Sequence, residues 1–280
     1  MLSSADIALS QELRQIACNA ARVGAACALA HFGGKLRVSL KTDRSEVSHA
    51  DVETQRAIVA AILERRPDDI FFAEEADSEA RLPTSADGVP RDELVTWIID
   101  PIDGTRNFVR EIRSFACAVA ALKNGMPIAA ATYDAAHDVL YSADLRGFYI
   151  EETRSDPIRD DRHDGYSPRP VVAVPSTFDA PGKRFLVDHV NEIVLRNFGA
   201  AALHLAYVAA GKIDASLLCD GCLWDIVGGC LMVEQMGGRI TGYGGAPLFP
   251  IDLATYSRTA IPCIASLDLA LHERMVRVLQ

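Results

Sequence analysis

The sequence predicts a layered fold in two parts, α+β followed by α/β, and three observations lead to that class. Two long helical periodicities open the chain, from Ser4 to His31 and from about Ala50 to Arg66. Four short apolar runs between Phe115 and Ile150 then succeed one another as a meander. Beyond a charged, proline-punctuated stretch at 151–170, short strands alternate with helices to the C-terminus.

In the first helix Ile7, Leu13, Ile16, Ala20, Val23, Cys27 and Ala30 recur at helical spacing, and Gly33-Gly34 ends the run. The second takes Ser48 as N-cap with Asp51 three residues on. Val52, Ile58, Ile62 and Leu63 keep its period until Pro67 stops it. A polar loop from Lys41 to Ser48 lies between them. Ile70–Ala73 and Thr96–Ile99 are too short for helices and end in acidic residues, so they read as buried strands that deliver carboxylates. Phe115–Leu122 and Ile128–Tyr133 form a hairpin turned at Asn124-Gly125, which Val139–Ser142 and Phe148–Ile150 extend as a mainly antiparallel sheet.

The stretch at 151–170 cannot bury much and is read as an exposed connection, dividing an α+β part at 1–152 from an α/β part at 153–280. After it, Val171–Val174, Phe185–His189, Glu192–Arg196, Ala200–Ala210, Ala215–Leu218, Ile226–Met236 and Arg239–Thr241 carry the α/β rhythm. Leu267–Leu279 is a closing helix.

Bulk composition narrows the function. With 280 residues, 49% of them apolar, the chain has the makings of an ordinary globular core. A net charge of −10 and a pI near 5.2 argue against broad binding to nucleic acid or anionic membrane. A phosphate substrate would then need local positive charge, and a metal ion supplies it. No apolar run reaches membrane-spanning length and the N-terminal residues do not read as a secretory signal, so a cytoplasmic location is expected. Seven scattered cysteines suit reduced thiols better than a disulfide framework.

The segment Trp97-Ile98-Ile99-Asp100-Pro101-Ile102-Asp103-Gly104-Thr105-Arg106-Asn107-Phe108 carries the most chemistry. Two aspartates three residues apart follow an apolar strand, and Pro101 and Gly104 force a sharp turn between them. Both carboxylates can then face one point beside exposed N–H groups, and clustered oxygens are what hard divalent cations take. Alone, the segment is equally well a turn with solvated aspartates. Glu74-Glu75 at a strand end and Trp224-Asp225 at a helix head shift the balance, although the first pair alone reads as a solvated strand end and Asp225 alone as an N-cap.

Asp51, Glu74-Glu75, the run Asp100–Thr105 and Trp224-Asp225, joined by Asn107-Phe108 and Gly237-Gly238, resemble in order and spacing the inositol monophosphatase family over nearly the whole chain. That family belongs to the lithium-sensitive, magnesium-dependent phosphatases that include fructose-1,6-bisphosphatase. The resemblance implies a sandwich of alternating helix and sheet layers, a homodimer, and two or three Mg2+ ions. It implies as metal ligands Glu74, Asp100, Asp103, Asp225 and the carbonyl of Ile102, with Glu75 helping through water. Thr105 and Asp51, with Glu74, would position the attacking water, and the N–H groups of Gly104 and Thr105 would hold phosphate oxygens. Lys41 would sit on the loop closing over the metals. Hydrolysis of a small inositol-1-phosphate-like phosphomonoester by a metal-activated water, without covalent intermediate, is the implied reaction.

Substrate contacts depart from the pattern. Asn197–Leu203 resembles the family's turn beside the substrate at Gly199, but Ala200 stands where a hydroxyl residue is usual. The inositol-binding acid of the animal enzymes aligns near Leu218, with Asp220 the nearest carboxylate. Phe108-Val109-Arg110 resembles bacterial members that include histidinol-phosphate phosphatases. Histidinol phosphate, a sugar phosphate and a nucleotide 3′-phosphate are therefore alternative substrates, and a transcription-associated interaction protein is a second alternative. Cys219-Asp220-Gly221-Cys222 lacks the second pair that a zinc site needs, which leaves only a redox switch to consider. His204 reads as a packed helix residue and Gly242–Gly245 as a flexible turn.

Overall fold

The computed structural model describes residues 3–36, 38–40, 46–75, 95–151, 153–155 and 169–280. Helix α1 runs over Ser4–His31, capped by the Ser3 side chain, which accepts the N–H of Asp6. Strands β1 (Val38–Leu40) and β2 (Glu46–Ser48) pair antiparallel, so the expected polar loop is in part a hairpin: residues 46–48 are strand, and 41–45 lie outside the described residues. Ser48 then caps α2 (His49–Leu63), with Asp51 closing a capping box.

The sheet built next has seven strands, in the order β3 (Ile70–Ala73), β4 (Val95–Asp103), β5 (Ala116–Lys123), β6 (Met126–Asp134), β7 (Val139–Asp144), β8 (Gly147–Ile150) and β9 (Thr153–Ser155). Only β3 and β4 are parallel; every other pair is antiparallel. Short α3 (Thr105–Val109) follows β4, and Asn124-Gly125 turns the β5–β6 hairpin with both residues at positive φ. Strand β9 corrects the reading of 151–170 as connection throughout, because residues 153–155 pair with β8 as the sheet's edge.

The second sheet has the order β11 (Val194–Arg196), β10 (Val171–Ala173), β12 (Ala215–Leu218), β14 (Cys263–Ser266) and β13 (Arg239–Gly242). Its first three strands are parallel, as the strand–helix rhythm implies, whereas β14 is antiparallel to both neighbours. Around these strands lie α4 (Ala180–His189), α5 (Ala201–Ala209), α6 (Leu223–Gln235) and α7 (Leu269–Leu279).

Helices and sheets stack in alternation: α1 and α2, the seven-stranded sheet, α5 and α6, the five-stranded sheet, then α4 and α7. Leu13, Ile58, Trp97 and Ile99 fill the first apolar seam. The largest core joins both halves of the chain, packing Ile98, Ala120 and Tyr141 of the first sheet beneath Leu205, Val227 and Leu231 of the central helices. A Cβ at Gly229 would lie 2.2 Å from Cβ of Leu205, so the absent side chain lets α5 and α6 touch. No helix of the described residues is long and apolar enough to cross a membrane.

Candidate active site

Strand β4 loses register with β5 between Asp100 and Asp103, the span that holds Pro101. Proline cannot donate to the ladder, and the irregularity releases both carboxylates from regular alternation. They meet Asp225, in the first turn of α6: one oxygen of each of the three carboxylates lies within 4.8 Å of the others. The N–H of Cys222 donates to Oδ2 of Asp225 at 2.5 Å, so the residue is at once a helix cap and a member of the cluster.

Burial drives the Asp100 carboxyl well above the ordinary carboxylate range, and the charges of Glu74, Asp225 and Asp103 push the same way. Asp103 is raised by burial and by Asp225, against the pull of the N–H groups of Ala202 and Ala201. Those groups donate to Oδ2 and Oδ1 of Asp103 at 2.8 and 3.0 Å. Oδ1 of Asp100 is buried with no hydrogen-bond partner among the described residues. A buried, mutually repelling set of carboxylate oxygens with an orphaned acceptor is what a hard divalent cation relieves, and this donor set fits magnesium.

Glu74 lies just past β3, where its N–H donates to the carbonyl of Ile99 at 3.0 Å, placing it beside the end of β4. Glu75 is held in both directions by Gln55, whose amide accepts its N–H and donates to its carbonyl, each at 3.0 Å. Thr105 Oγ1 sits 3.1 Å from Oδ1 of Asp51 and 3.0 Å from the carbonyl of Ile102, uniting the residues expected to form a pair. Asp51 is itself fixed, since Ser48 donates to its Oδ2 through backbone and side chain. Gly104 takes φ +92°, and a Cβ there would stand 3.0 Å from the carbonyl of Ser114 and 3.1 Å from that of Gly199. The turn therefore requires glycine.

A cleft of about 510 Å³ opens above these groups, lined by Glu74, Asp103, Gly104, Thr105 and Asp225. Its lining also includes Gly199, Ala200 and Asp220, all named from sequence, together with Ser176, Thr177 and Asn197. The Thr177 hydroxyl donates to the Asp220 carboxylate. Ala200 supplies no side-chain cap to α5, whose first N–H groups go instead to Asp103. Lys41 lies outside the described residues. His204 is buried against Phe198, whose N–H donates to its Nε2 at 3.2 Å, and burial lowers it to about 4. It is therefore a neutral packed histidine.

Several supporting residues escaped the sequence reading. Asn107, known only as part of the motif, donates to the carbonyls of Ser114 and Phe198 at 2.8 Å each and so joins the β4 turn to the Gly199 turn. Ser114 adds a bond to Phe198 at 2.6 Å. Gln55, one helical turn beyond Asp51, could have been found by its shared face, whereas Arg258, which contacts the end of β3, carries no local signal.

Comparison with known proteins gives a consistent picture. The family model described as the inositol monophosphatase family matches residues 9–279. An inositol-1-monophosphatase of Bacillus subtilis is 32% identical over 219 residues, covering 76% of this chain and 78% of that protein. A Nus factor SuhB of Pasteurella multocida is 28% identical over 220 residues, 75% of this chain and 76% of that one. Among solved structures, the IMPase of Thermotoga maritima superposes with a TM-score of 0.78 at 27% identity, covering 94% of each chain.

Proposed function

The chain belongs to the inositol monophosphatase family, and we propose that it is a magnesium-dependent phosphatase acting on a small soluble phosphomonoester. The observation that carries this reading is the convergence of Asp100, Asp103 and Asp225 within 4.8 Å at the cleft, from stretches far apart in sequence.

In this reading Glu74, Asp100, Asp103, Asp225 and the Ile102 carbonyl hold the ions, and Glu75 supports them. When bound, magnesium neutralises phosphate charge and makes water more acidic. The chain's own part is positioning. Thr105, bonded to Asp51, orients the attacking water and passes its proton toward that carboxylate. The backbone N–H groups of Gly104 and Thr105 face the phosphate oxygens at the start of α3. The 1–152 part contributes most ion-holding groups, and the 153–280 part contributes Asp225 with the substrate wall. The oxygen-rich wall of Ser176, Thr177, Asn197 and Asp220 suits a hydroxylated leaving group such as inositol, a sugar or a ribose. Family resemblance adds a homodimer, which light scattering would test.

Phosphate release measured with inositol 1-phosphate, histidinol phosphate, a hexose phosphate and a nucleotide 3′-phosphate, with magnesium and with EDTA, tests the reading. Magnesium-dependent release from one of them is expected; no release from any would overturn it. The Nus factor name of the Pasteurella relative supports a second reading, association with transcription machinery. Co-purification with polymerase by a chain inactive on the whole panel would favour that reading.

A further inference from the structure

Arg258 is an exposed residue that bridges two layers of the fold. Its guanidinium carbon is 5.0 Å from the ring centre of Phe72 on β3 and 4.8 Å from that of Trp224 on α6. Its Nη2 donates to the carbonyls of Ala73 at 2.7 Å and of Glu74 at 2.6 Å. The chain around it is tied to the head of α6. Tyr256 Oη accepts the N–H of Leu223 at 3.0 Å, and the N–H of Ile261 donates to the carbonyl of Gly221 at 2.8 Å. Arg258 itself sits at φ +59°, a conformation that a non-glycine residue keeps only when its surroundings enforce it.

Among the described residues, Arg258 forms an ion pair with no carboxylate; its donors go to main-chain carbonyls and its faces to aromatic rings. The residues it touches, however, include or adjoin Glu74, just past β3, and Asp225, in the first turn of α6. A planar guanidinium can stack on both rings while reaching two carbonyls, which a lysine ammonium cannot do.

We propose that Arg258 is a positioning residue for the acidic cluster, clamping the end of β3 to the head of α6 so that Glu74 and Asp225 are both held beside Asp100. The inference rests on the magnesium reading above. Without the clamp, Glu74 and Asp225 relax away from Asp100, whose charge repels both, and the cost falls on cation affinity rather than on the fold as a whole.

The test is calorimetric titration of magnesium into the EDTA-stripped full chain, for wild type, Arg258→Met, Arg258→Lys, and Phe185→Leu as a core variant in the distant α4–α7 seam. Arg258→Met should weaken magnesium binding by roughly 10- to 100-fold, the range seen when groups supporting metal ligands are lost. Half-maximal turnover should need correspondingly more magnesium, with the substrate KM at saturating metal changed far less. Arg258→Lys, which keeps the charge and is the gentler change to the fold, should lose about 10-fold and so carries the test if the Met variant does not fold. Magnesium affinity within twofold of wild type in a folded Arg258 variant overturns the proposal. So does an equal loss in Phe185→Leu at matched stability. A wild-type chain that binds no magnesium overturns the metal reading and this one together, whereas normal wild-type binding with unaffected Arg258 variants overturns this one alone.

Discussion

Asp103 accepts the N–H of Ala202 at 2.8 Å, so a carboxylate at the end of β4 caps a helix that begins 98 residues later in the chain at Ala201. The same side chain faces Asp100 and Asp225. Structural and chemical duties are therefore combined in Asp103 and separated in Asp100, whose buried Oδ1 finds no partner.

Substituting each residue should expose this division. Asp103→Ala leaves the N–H groups of Ala201 and Ala202 without their acceptor in a buried setting and should cost about 1–3 kcal/mol in urea unfolding. Asp100→Asn removes a buried charge that lacks compensation and should leave the metal-free protein at least as stable as wild type. Both should depress magnesium-dependent turnover at least about 100-fold. A stable Asp103→Ala protein would contradict the capping role.

The stability of the metal-free chain should depend on pH through Asp100, with a definite sign. Its folded-state pKa is raised by burial and by Glu74, Asp225 and Asp103, so the folded chain binds that proton more tightly than the unfolded chain does. The contribution is complete below the unfolded carboxylate value of about 4 and is lost as pH rises through the raised native value. Melting in EDTA should therefore fall, as pH rises above the unfolded carboxylate value of about 4, more steeply in wild type than in Asp100→Asn. Magnesium should remove most of the difference. Parallel wild-type and variant curves would show that Asp100 does not carry this charge cost.

Thr105→Val removes the hydroxyl that reaches Asp51 and the Ile102 carbonyl. We expect kcat to fall by about 10²- to 10⁴-fold, the range for loss of a proton-transfer group, with the melting temperature little changed. Thr105→Ser should keep most of the rate. A loss in Thr105→Ser as large as in Thr105→Val would show that the hydroxyl alone does not carry the rate.

Cys219 and Cys222 should be inert at neutral pH. Burial pushes Cys219 up to about 11 and, with help from Asp225, Cys222 up to about 12, so almost no thiolate is present to react. Tyr243 Oη lies 2.9 Å from the Cys219 sulfur, and the Cys222 sulfur faces the Arg258 carbonyl at 3.8 Å. Iodoacetamide should label neither in the folded chain within the time that labels both after denaturation. An oxidative loss of activity abolished by Cys222→Ser would restore the redox switch.

Local chemistry was legible wherever a few adjacent residues decide the outcome. Ser48 and Asp51 marked the start of α2, and Asn124-Gly125 marked the β5–β6 turn, because caps and tight turns are satisfied within three or four residues. The acidic residues were found through their order along the chain, and their roles came with the family resemblance. What went unseen was nonlocal: β14 is an apolar run like any other until β12 and β13 pair with it, and the hairpin of β1 with β2 lies in polar residues without a strand pattern.

By itself, then, the sequence determined the long helices and the apolar strands of the first sheet, and which side chains offer oxygen to a cation, because periodicity, capping and ligand chemistry are properties of residue type. Only the tertiary structure decided that Asp100 is buried beside Glu74 and Asp225, that Asp103 accepts the first N–H groups of α5, and that Arg258 lies over the rings of Phe72 and Trp224. Distances and dielectric surroundings arise when layers pack, and no local pattern encodes which distant element will supply the neighbour.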